Sequence, residues 1–581
     1  MQVTGIGVRT WRACLVFAAL MVFGGFVGQP QWCSTASAQD TLQAEGDADA
    51  ATAEASDPVL VVSIASLNKL IQDVNYITAV SGQPQAGGIF TMMAGGFAQG
   101  LDMARPIGVI VPIVEGAPEP IGLLPTPDVE AMLKRLEAQT GPVDKLDDGT
   151  LVVAAGPSLV YIRQVGTWAV IARQKEFLDL APADPMTLMK DLGDNYTLSA
   201  ILNVQLIPED SREALIGFMR QGFDQAIDEQ GEASDEILAA SEDSFKQIEQ
   251  LIRETEEFMF GWNINPDEKV VSFEAEFTAA DGTEMAEMYS GQAPIPSRFA
   301  SVIDGDNAMF YHAAASMSPM VMERTKDSLD SAKVMLKKAI EDSDDLDEDA
   351  KTQVSELANS LLELIGQTIA EGKFDIGMQA AVDDSEIDVT AGMFVSDGNA
   401  AAQLVKDLAA KLEGEPDAPT FEFDIETYKG VVLHSMTIDI PESADEAREL
   451  FGEKAVVRIG TAAKAVYIAA GTSSEQAIKE FIDNGVENDD PTDRPLGQME
   501  LRLLPFLRFA QSIEANDVVA SMIDTLAQNE ETDYVLLEAN SIENGQSSYM
   551  ELGEGILKAI GAAVREAQKM QAMQMQGGGQ F

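Results

Sequence analysis

The sequence predicts an α+β fold of two duplicated lobes, each an antiparallel sheet with helices packed on one face. Three observations lead to this prediction. Short apolar runs typical of strands alternate with segments of helical spacing. The same series of segments recurs roughly half a chain later. The 581 residues also exceed what a single hydrophobic core organises, so more than one lobe is expected.

Two pairs of segments show the internal similarity most clearly. Ile107–Val109 opens a strand that a second strand and a helix follow, and Ile376–Met378 opens the same series later. Ala169–Ala172 reappears as Val466–Ala469, and each of the two precedes a helical segment. We therefore expect two copies of one lobe, with boundaries at 58–297 and 298–570.

Each lobe contains a smaller unit of one strand, a long helical segment, a strand pair and a helix. The first unit begins with a strand over Val59–Ile64 and a helix from Leu67, for which Ser66 is a suitable cap. In the second unit, helical spacing extends to Phe258, and strict alternation over Val271–Phe277 predicts a strand with one wet face. Helices on the other face then give an α+β architecture.

The two ends of the chain predict segments outside the lobes. Residues 1–38 have the features of a secretory signal peptide: arginines, an apolar run over Ala13–Gly28, and the small-residue cleavage pattern Ala36–Ala38. Residues 39–57 form an acidic leader without apolar periodicity, which predicts disorder. The Met-, Gln- and Gly-rich tail 571–581 is expected to be disordered as well.

This layout resembles a family of secreted acidic proteins of planctomycete-type bacteria that has no assigned activity. The resemblance depends on the Ala36–Ala38 signal ending, the acidic Ala-rich leader 39–57 and the repeated strand–helix–strand-pair units. It implies a secreted or periplasmic location. It implies no catalytic, cofactor-binding or metal-binding residues.

Charge limits the partners of this protein. The chain has 96 acidic and 38 basic residues, a formal net charge of −58. Such a surface repels nucleic acid and anionic lipid headgroups, because both require clustered Lys and Arg. It favours solubility and allows weak association with divalent cations. No second apolar stretch of spanning length follows the signal, so no transmembrane segment is expected after cleavage.

The residue types that most catalytic and metal sites need are scarce. Both cysteines, Cys14 and Cys33, lie within the predicted signal peptide, and the chain has only two histidines, His312 and His434. Both histidines lie in strand-like segments and are expected to be structural. A zinc site and a nucleophile-and-base site are therefore not predicted. No glycine-rich phosphate loop occurs, and no cofactor is expected.

Calcium is the remaining metal to consider, because carboxylates are abundant. The densest run, Asp342–Asp349, has Asp347 where an EF-hand loop requires glycine, so it is better interpreted as a polar connection between helices. Asp383–Glu386 is predicted to be a hairpin turn. No metal site is predicted in either segment.

One uncharged stretch, Gly87–Gly100, combines glycines with Phe and Met. It has two interpretations. It is either a helix or loop packed closely inside the lobe, or a pliable apolar lid over a hydrophobic groove. In the second case Phe90, Met92, Met93 and Phe97 are the candidate ligand-contacting residues.

The sequence thus favours an exported, non-enzymatic protein that acts as a structural or interaction module. A first alternative is a carrier for an apolar ligand held in a groove between sheet and helices. A second is a carboxylate-based hydrolase, which needs two facing acids in one cleft and a raised pKa on at least one of them.

Overall fold

The computed structural model describes most of the chain after the predicted leader. The described residues are 57–155, 158–229, 235–343, 348–383, 386–414, 418–441, 448, 452–486 and 490–577. The predicted signal peptide 1–38 and nearly all of the leader 39–57 lie outside them. Part of the acidic connection 342–349 also lies outside.

Most strands belong to one large antiparallel sheet, and β3 and β4 form a separate ribbon. The strands are β1 Leu60–Ile64, β2 Ile107–Val111, β3 Ile113–Val114, β4 Ala117–Pro118, β5 Ile121–Pro125, β6 Val143–Lys145, β7 Leu151–Ala155, β8 Ser158–Val165, β9 Trp168–Ala172, β10 Leu198–Asn203, β11 Thr255–Asn265, β12 Val270–Ala279, β13 Met309–Ser316, β14 Lys373–Val382, β15 Ile387–Phe394, β16 Thr420–Tyr428, β17 Val431–Asp439, β18 Lys454–Ala462, β19 Ala465–Ala470, β20 Gly497–Leu501, β21 Val535–Ile542 and β22 Gly545–Gly553.

The α-helices lie between these strands and after the last one. They are α1 Leu67–Val80, α2 Pro84–Phe97, α3 Val129–Thr140, α4 Met186–Asn195, α5 Glu209–Glu229, α6 Asp235–Glu254, α7 Glu284–Ser290, α8 Pro319–Glu341, α9 Glu348–Ile369, α10 Gly398–Leu412, α11 Ser474–Asp483, α12 Leu503–Ile513, α13 Asp517–Leu526 and α14 Glu554–Gly577.

The sheet has 20 strands and is continuous from β6 at one edge to β16 at the other. The strand order is β6-β7-β8-β9-β5-β2-β1-β10-β11-β12-β22-β21-β20-β13-β14-β15-β19-β18-β17-β16. The prediction of one sheet for each lobe was therefore wrong. Strands β12 and β22 pair along their length, which removes the edge that each half would otherwise expose.

The two halves of this sheet follow the same path along the chain. Ten strands run from the edge strand β6 to β12, and ten run from the edge strand β16 to β22. From the outer edge inward, the first half runs β6–β9, then β5, β2 and β1, then β10–β12. The second half runs β16–β19, then β15, β14 and β13, then β20–β22.

Helices pack on both faces of the sheet, so the prediction of one covered face was also wrong. On one face, α4 contributes Met189 to a core that contains Leu123 and Val170. On the opposite face, α3 contributes Met132 to a core that contains Ala169. Because Ala169 and Val170 are consecutive strand residues and both are fully buried, β9 is covered on both sides.

Near the centre of the sheet, helices of one half pack against helices of the other half. Helix α1 packs against α14, where the Tyr76 hydroxyl donates a hydrogen bond to Glu554 and the Arg565 guanidinium donates to the Ser81 carbonyl at 2.8 Å. Gly561 allows this approach, because a Cβ there would meet the Ser81 carbonyl oxygen. In the same way, α7 packs against α8.

The ends of α1, β11 and α14 bear on three local predictions. The Ser66 hydroxyl accepts a hydrogen bond from the Lys69 amide at 3.0 Å and caps α1 as expected. Phe258 lies in β11 rather than in a helix, because the strand begins at Thr255 directly after α6. Helix α14 continues to Gly577, well into the segment 571–581 for which disorder was predicted.

Candidate functional site

His312 lies beside a hydroxyl and a carboxylate. It is fully buried on β13, with its Nε2 atom 2.9 Å from the Ser297 hydroxyl. That hydroxyl donates to Asp375 Oδ1 at 2.5 Å and accepts from the Phe299 amide at 2.9 Å. Burial raises the pKa of Asp375, although its hydrogen bonds oppose the shift.

The order of these groups differs from that of a nucleophilic triad. In a triad the imidazole lies between the hydroxyl and the carboxylate, and it removes the hydroxyl proton. Here the Ser297 hydroxyl lies between the other two groups and donates its hydrogen bond to Asp375. Because Ser297 and His312 are both buried, a substrate has no access to them. The arrangement ties the segment that precedes β13 to β13 and β14.

His434 lies in a second buried network. Its Nδ1 atom accepts a hydrogen bond from the Asp424 amide at 3.1 Å, and its Nε2 atom lies 3.2 Å from the Thr461 hydroxyl. Nδ1 is therefore unprotonated and Nε2 carries the hydrogen. Burial lowers the pKa of His434, which keeps the ring neutral. The ring holds the irregular edge strand β16 against β17.

The carboxylates do not form a metal site in the part of the chain that the structure describes. No group of three or more His, Cys, Asp or Glu side chains there has the geometry to hold a metal ion. Asp383 and Glu386 connect β14 to β15, where the Asp383 carboxylate accepts from the Glu386 amide at 2.8 Å.

Carboxylates with raised pKa values do lie near one another at the centre of the sheet. Glu257 on β11 and Glu276 on β12 are on the same face of neighbouring strands. Burial raises the pKa of both, and repulsion adds to the shift, from Glu256 at Glu257 and from Glu274 and Glu257 at Glu276. On β22, Glu551 accepts hydrogen bonds at 2.5 Å from the hydroxyls of Tyr534 and Tyr549. These contacts satisfy the Glu551 carboxylate within the sheet.

Two open clefts in the described surface are polar. One, of about 390 Å³, lies beside α11, and ion pairs such as Lys479 with Glu426 hold its walls. The other, of about 270 Å³, lies beside Lys69. The Lys69 ammonium already donates to Asp73 at 2.8 Å and 2.9 Å and to the Ile264 carbonyl at 2.7 Å. Neither cleft suits an apolar ligand.

The uncharged stretch singled out in the sequence forms helix α2, the second helix of a hairpin with α1. Gly82, at φ +74°, makes the turn, and Pro84 begins the helix. Gly87 lies against α1, where a Cβ would stand 2.4 Å from the Thr78 hydroxyl oxygen. The side-chain amide of Asn75 donates a hydrogen bond to the Thr91 hydroxyl at 2.9 Å, which holds the two helices side by side.

The opposite side of α2 is exposed and apolar. We define the α2 stripe as Ile89, Met92, Met93 and Phe97, which are 57%, 72%, 59% and 62% exposed. Their spacing of three and four residues places them on one helix face. The stripe contains three of the four candidate residues, whereas Phe90 is half-buried. Interior packing of this segment, the first of the two interpretations, was therefore wrong.

Glycines extend the open side of α2. A Cβ built at Gly88, Gly95 or Gly96 meets no atom within 4 Å. Each glycine in a helix interior costs about 1 kcal/mol relative to alanine, and the chain offers no side-chain cap at Gln83 in compensation. No charged residue occurs from Val74 to Leu101. Helix α2 is thus an intrinsically weak helix with an uncovered apolar face.

Sequence reasoning missed Ile89. The helical period could have found it, because Ile89 precedes Met92 and Met93 by three and four residues. What the period could not show is which side of α2 packs on α1.

Comparison of the chain with protein-family models, with curated proteins and with solved structures finds no match. Within the described ranges, none of the helices combines the length and apolar character needed to cross a membrane.

Proposed function

We propose that this protein is an exported, non-enzymatic interaction module that binds an apolar partner through the α2 stripe. The observation that carries the proposal is the exposure of four large apolar side chains, between 57% and 72%, on one uncharged helix. Contiguous exposed apolar surface of this kind marks interaction sites, whereas single exposed apolar residues are ordinary.

The chemistry of the histidines supports a non-enzymatic role. Each of the two is buried and held in a fixed hydrogen-bond arrangement, and neither lines the two clefts described above. The carrier alternative would be supported by an enclosed apolar cavity, whereas the two clefts described above are open and polar.

We also infer that the two halves arose by duplication of one lobe. The identical strand order supports this, and so does the register. Gly108 pairs with Leu123, which pairs with Val170. In the second half, Gly377 pairs with Gly392, which pairs with Tyr467. The two segment pairs that are similar in sequence therefore occupy the same ladder positions.

Site-specific cross-linking in the producing cells tests the proposed function. A photoreactive phenylalanine analogue replaces Met93 in one variant and Phe218 in the other. Phe218 is a matched control, because it is 72% exposed on α5, a helix that carries charged residues such as Arg212 and Arg220, whereas α2 carries none. We expect a discrete adduct, protein or lipid, from position 93 and none from position 218. Equal labelling at the two positions, or none at either, would refute the proposal.

A further inference from the structure

We propose that the partner of the α2 stripe is the surface of an electrically neutral lipid bilayer, on which α2 lies flat. This inference rests on the proposed function and names the partner class. Three properties of α2 carry it: its charge, its exposed area and the direction in which its apolar side chains point.

Charge is the first argument. The chain carries −58 in total, so a second copy, another acidic protein or an anionic membrane is repelled at long range. Helices that bind anionic membranes carry Lys and Arg on their polar side, and α2 has neither. The run without charge from Val74 to Leu101 is the part of the surface that a neutral, zwitterionic bilayer approaches without electrostatic cost.

Area is the second argument. Four exposed side chains of this size offer on the order of 500 Å², whereas each partner in a standard protein–protein interface buries about 800 Å². The stripe is thus too small for a stable dimer by itself. A bilayer interface has no such minimum, because each apolar side chain that enters the acyl region contributes independently.

The arrangement of side chains is the third argument. Ile89, Met92, Met93 and Phe97 point to one side over the length of the helix, while Gly87 and Thr91 face α1. An interfacial helix needs this division between an apolar side and a side attached to the protein. Flexible methionines also adapt to a fluid environment.

Vesicle flotation with the purified chain from Gln39 onward tests the proposal. The probes are phosphatidylcholine vesicles and vesicles in which phosphatidylglycerol replaces part of the phosphatidylcholine. We expect binding to the neutral vesicles and weaker binding to the anionic ones. The double variant Met92→Gln with Phe97→Gln should lower the partition coefficient at least about tenfold, because burial of each side chain is worth that factor or more. Phe218→Gln should leave it unchanged.

A second variant separates lipid from a partner helix. Replacement of Gly88, Gly95 and Gly96 by alanine keeps the apolar stripe but adds three Cβ atoms on the open side of α2, which limits how closely a partner helix can approach. We expect this variant to bind neutral vesicles as the wild type does. A blue shift in the emission of a tryptophan introduced by Phe97→Trp should accompany binding and report entry into an apolar phase.

Three results would overturn the lipid assignment. The first is absence of vesicle binding. The second is binding that the stripe variant does not reduce. The third is a concentration-dependent dimer in solution that Met92→Gln with Phe97→Gln dissociates, which would assign the stripe to a second copy. The first and third results would still allow the stripe to contact another partner. The cross-linking experiment tests separately whether it contacts any partner.

Discussion

Two helical hairpins occupy the same place in the two halves of the sheet. The hairpin α1–α2 connects β1 to β2, and the hairpin α8–α9 connects β13 to β14. Both begin with a capped helix, through Ser66 in the first and Ser318 in the second. The first helices of the two hairpins are therefore equivalent in position and in capping.

The second helices of the hairpins differ. Helix α9 packs against α10, where Lys411 donates to Glu356 at 2.8 Å, and its Leu364 is only 3% exposed. Helix α2 has no charge and leaves its stripe uncovered. The same connection thus provides a covered structural helix in one half and an open surface in the other. This contrast supports the proposed contact function of the first half.

The largest expected effect comes from Gly87, which faces the first helix of its hairpin. Gly366 is the counterpart of Gly87 in the second hairpin. Gly87→Ala places a Cβ against Thr78 and Asn75 and should cost about 1–3 kcal/mol through overpacking. Gly366→Ala in α9 meets a single Leu329 methyl at 3.3 Å and should be neutral or slightly stabilising. Hydrogen exchange of the α2 and α9 amides measures both. Equal effects would mean that the two hairpins are packed alike.

Tyr76→Phe tests how α1–α2 is held to α14. It removes the hydrogen bond to Glu554, and hydrogen bonds to charged groups contribute about 1.5 kcal/mol or more when buried. Because the hydrogen bond between Tyr76 and Glu554 is only partly buried, we expect a loss of about 1 kcal/mol in the opening free energy of α1. Protection of α8 should not change. A loss spread over both hairpins would show that the central sheet, rather than this contact, had been weakened.

Gly95→Ala should stabilise α2. Its Cβ enters open space, so the gain is the difference in helix propensity, about 0.5–1 kcal/mol. Slower amide exchange within α2 and unchanged exchange in α9 are the expected result. Destabilisation would show that another part of the chain covers this side of α2.

The smallest effect concerns pH. Burial raises the pKa of Glu554, but hydrogen bonds from Lys558 and Tyr76 outweigh this and lower it below its ordinary value of 4.5. A carboxylate with a lowered pKa contributes stability that is present above its ordinary pKa and lost as pH falls through the lowered one. The wild type should therefore lose protection of α1 below about pH 4.5, and Tyr76→Phe should lose less. Parallel losses in the two proteins would contradict this assignment.

The sequence predicted local elements well where one period was unbroken. The segments around Gly108 and Gly377 form strands as predicted, and each pairs with the next strand of the sheet along the chain. The strand at Val271–Phe277 is present within β12, but the predicted wet face is not, because the residues after Val271 are half-buried on both faces. Phe258 was misplaced because helical spacing continued across the start of β11, where only pairing with β10 and β12 decides the conformation.

Long-range features could not be derived in this way. Nothing in the residues of β12 and β22 shows that they pair with each other, because pairing between halves depends on the positions of all the other strands. The contact of His312 with Ser297 has the same origin. For α2, composition identified an unusual segment, but its exposure depends on which side of the helix packs against α1.

The most direct test of the contact surface uses the distribution of cysteines. Cys14 and Cys33 both precede Gln39, so Met93→Cys and Phe218→Cys each introduce one thiol into a chain that starts there. Both thiols should react with a maleimide at similar rates in the isolated protein. In the producing cells, we expect the thiol at position 93 to be protected while the thiol at position 218 stays reactive. Equal reactivity in the cells would contradict the assignment of the α2 stripe as the contact surface.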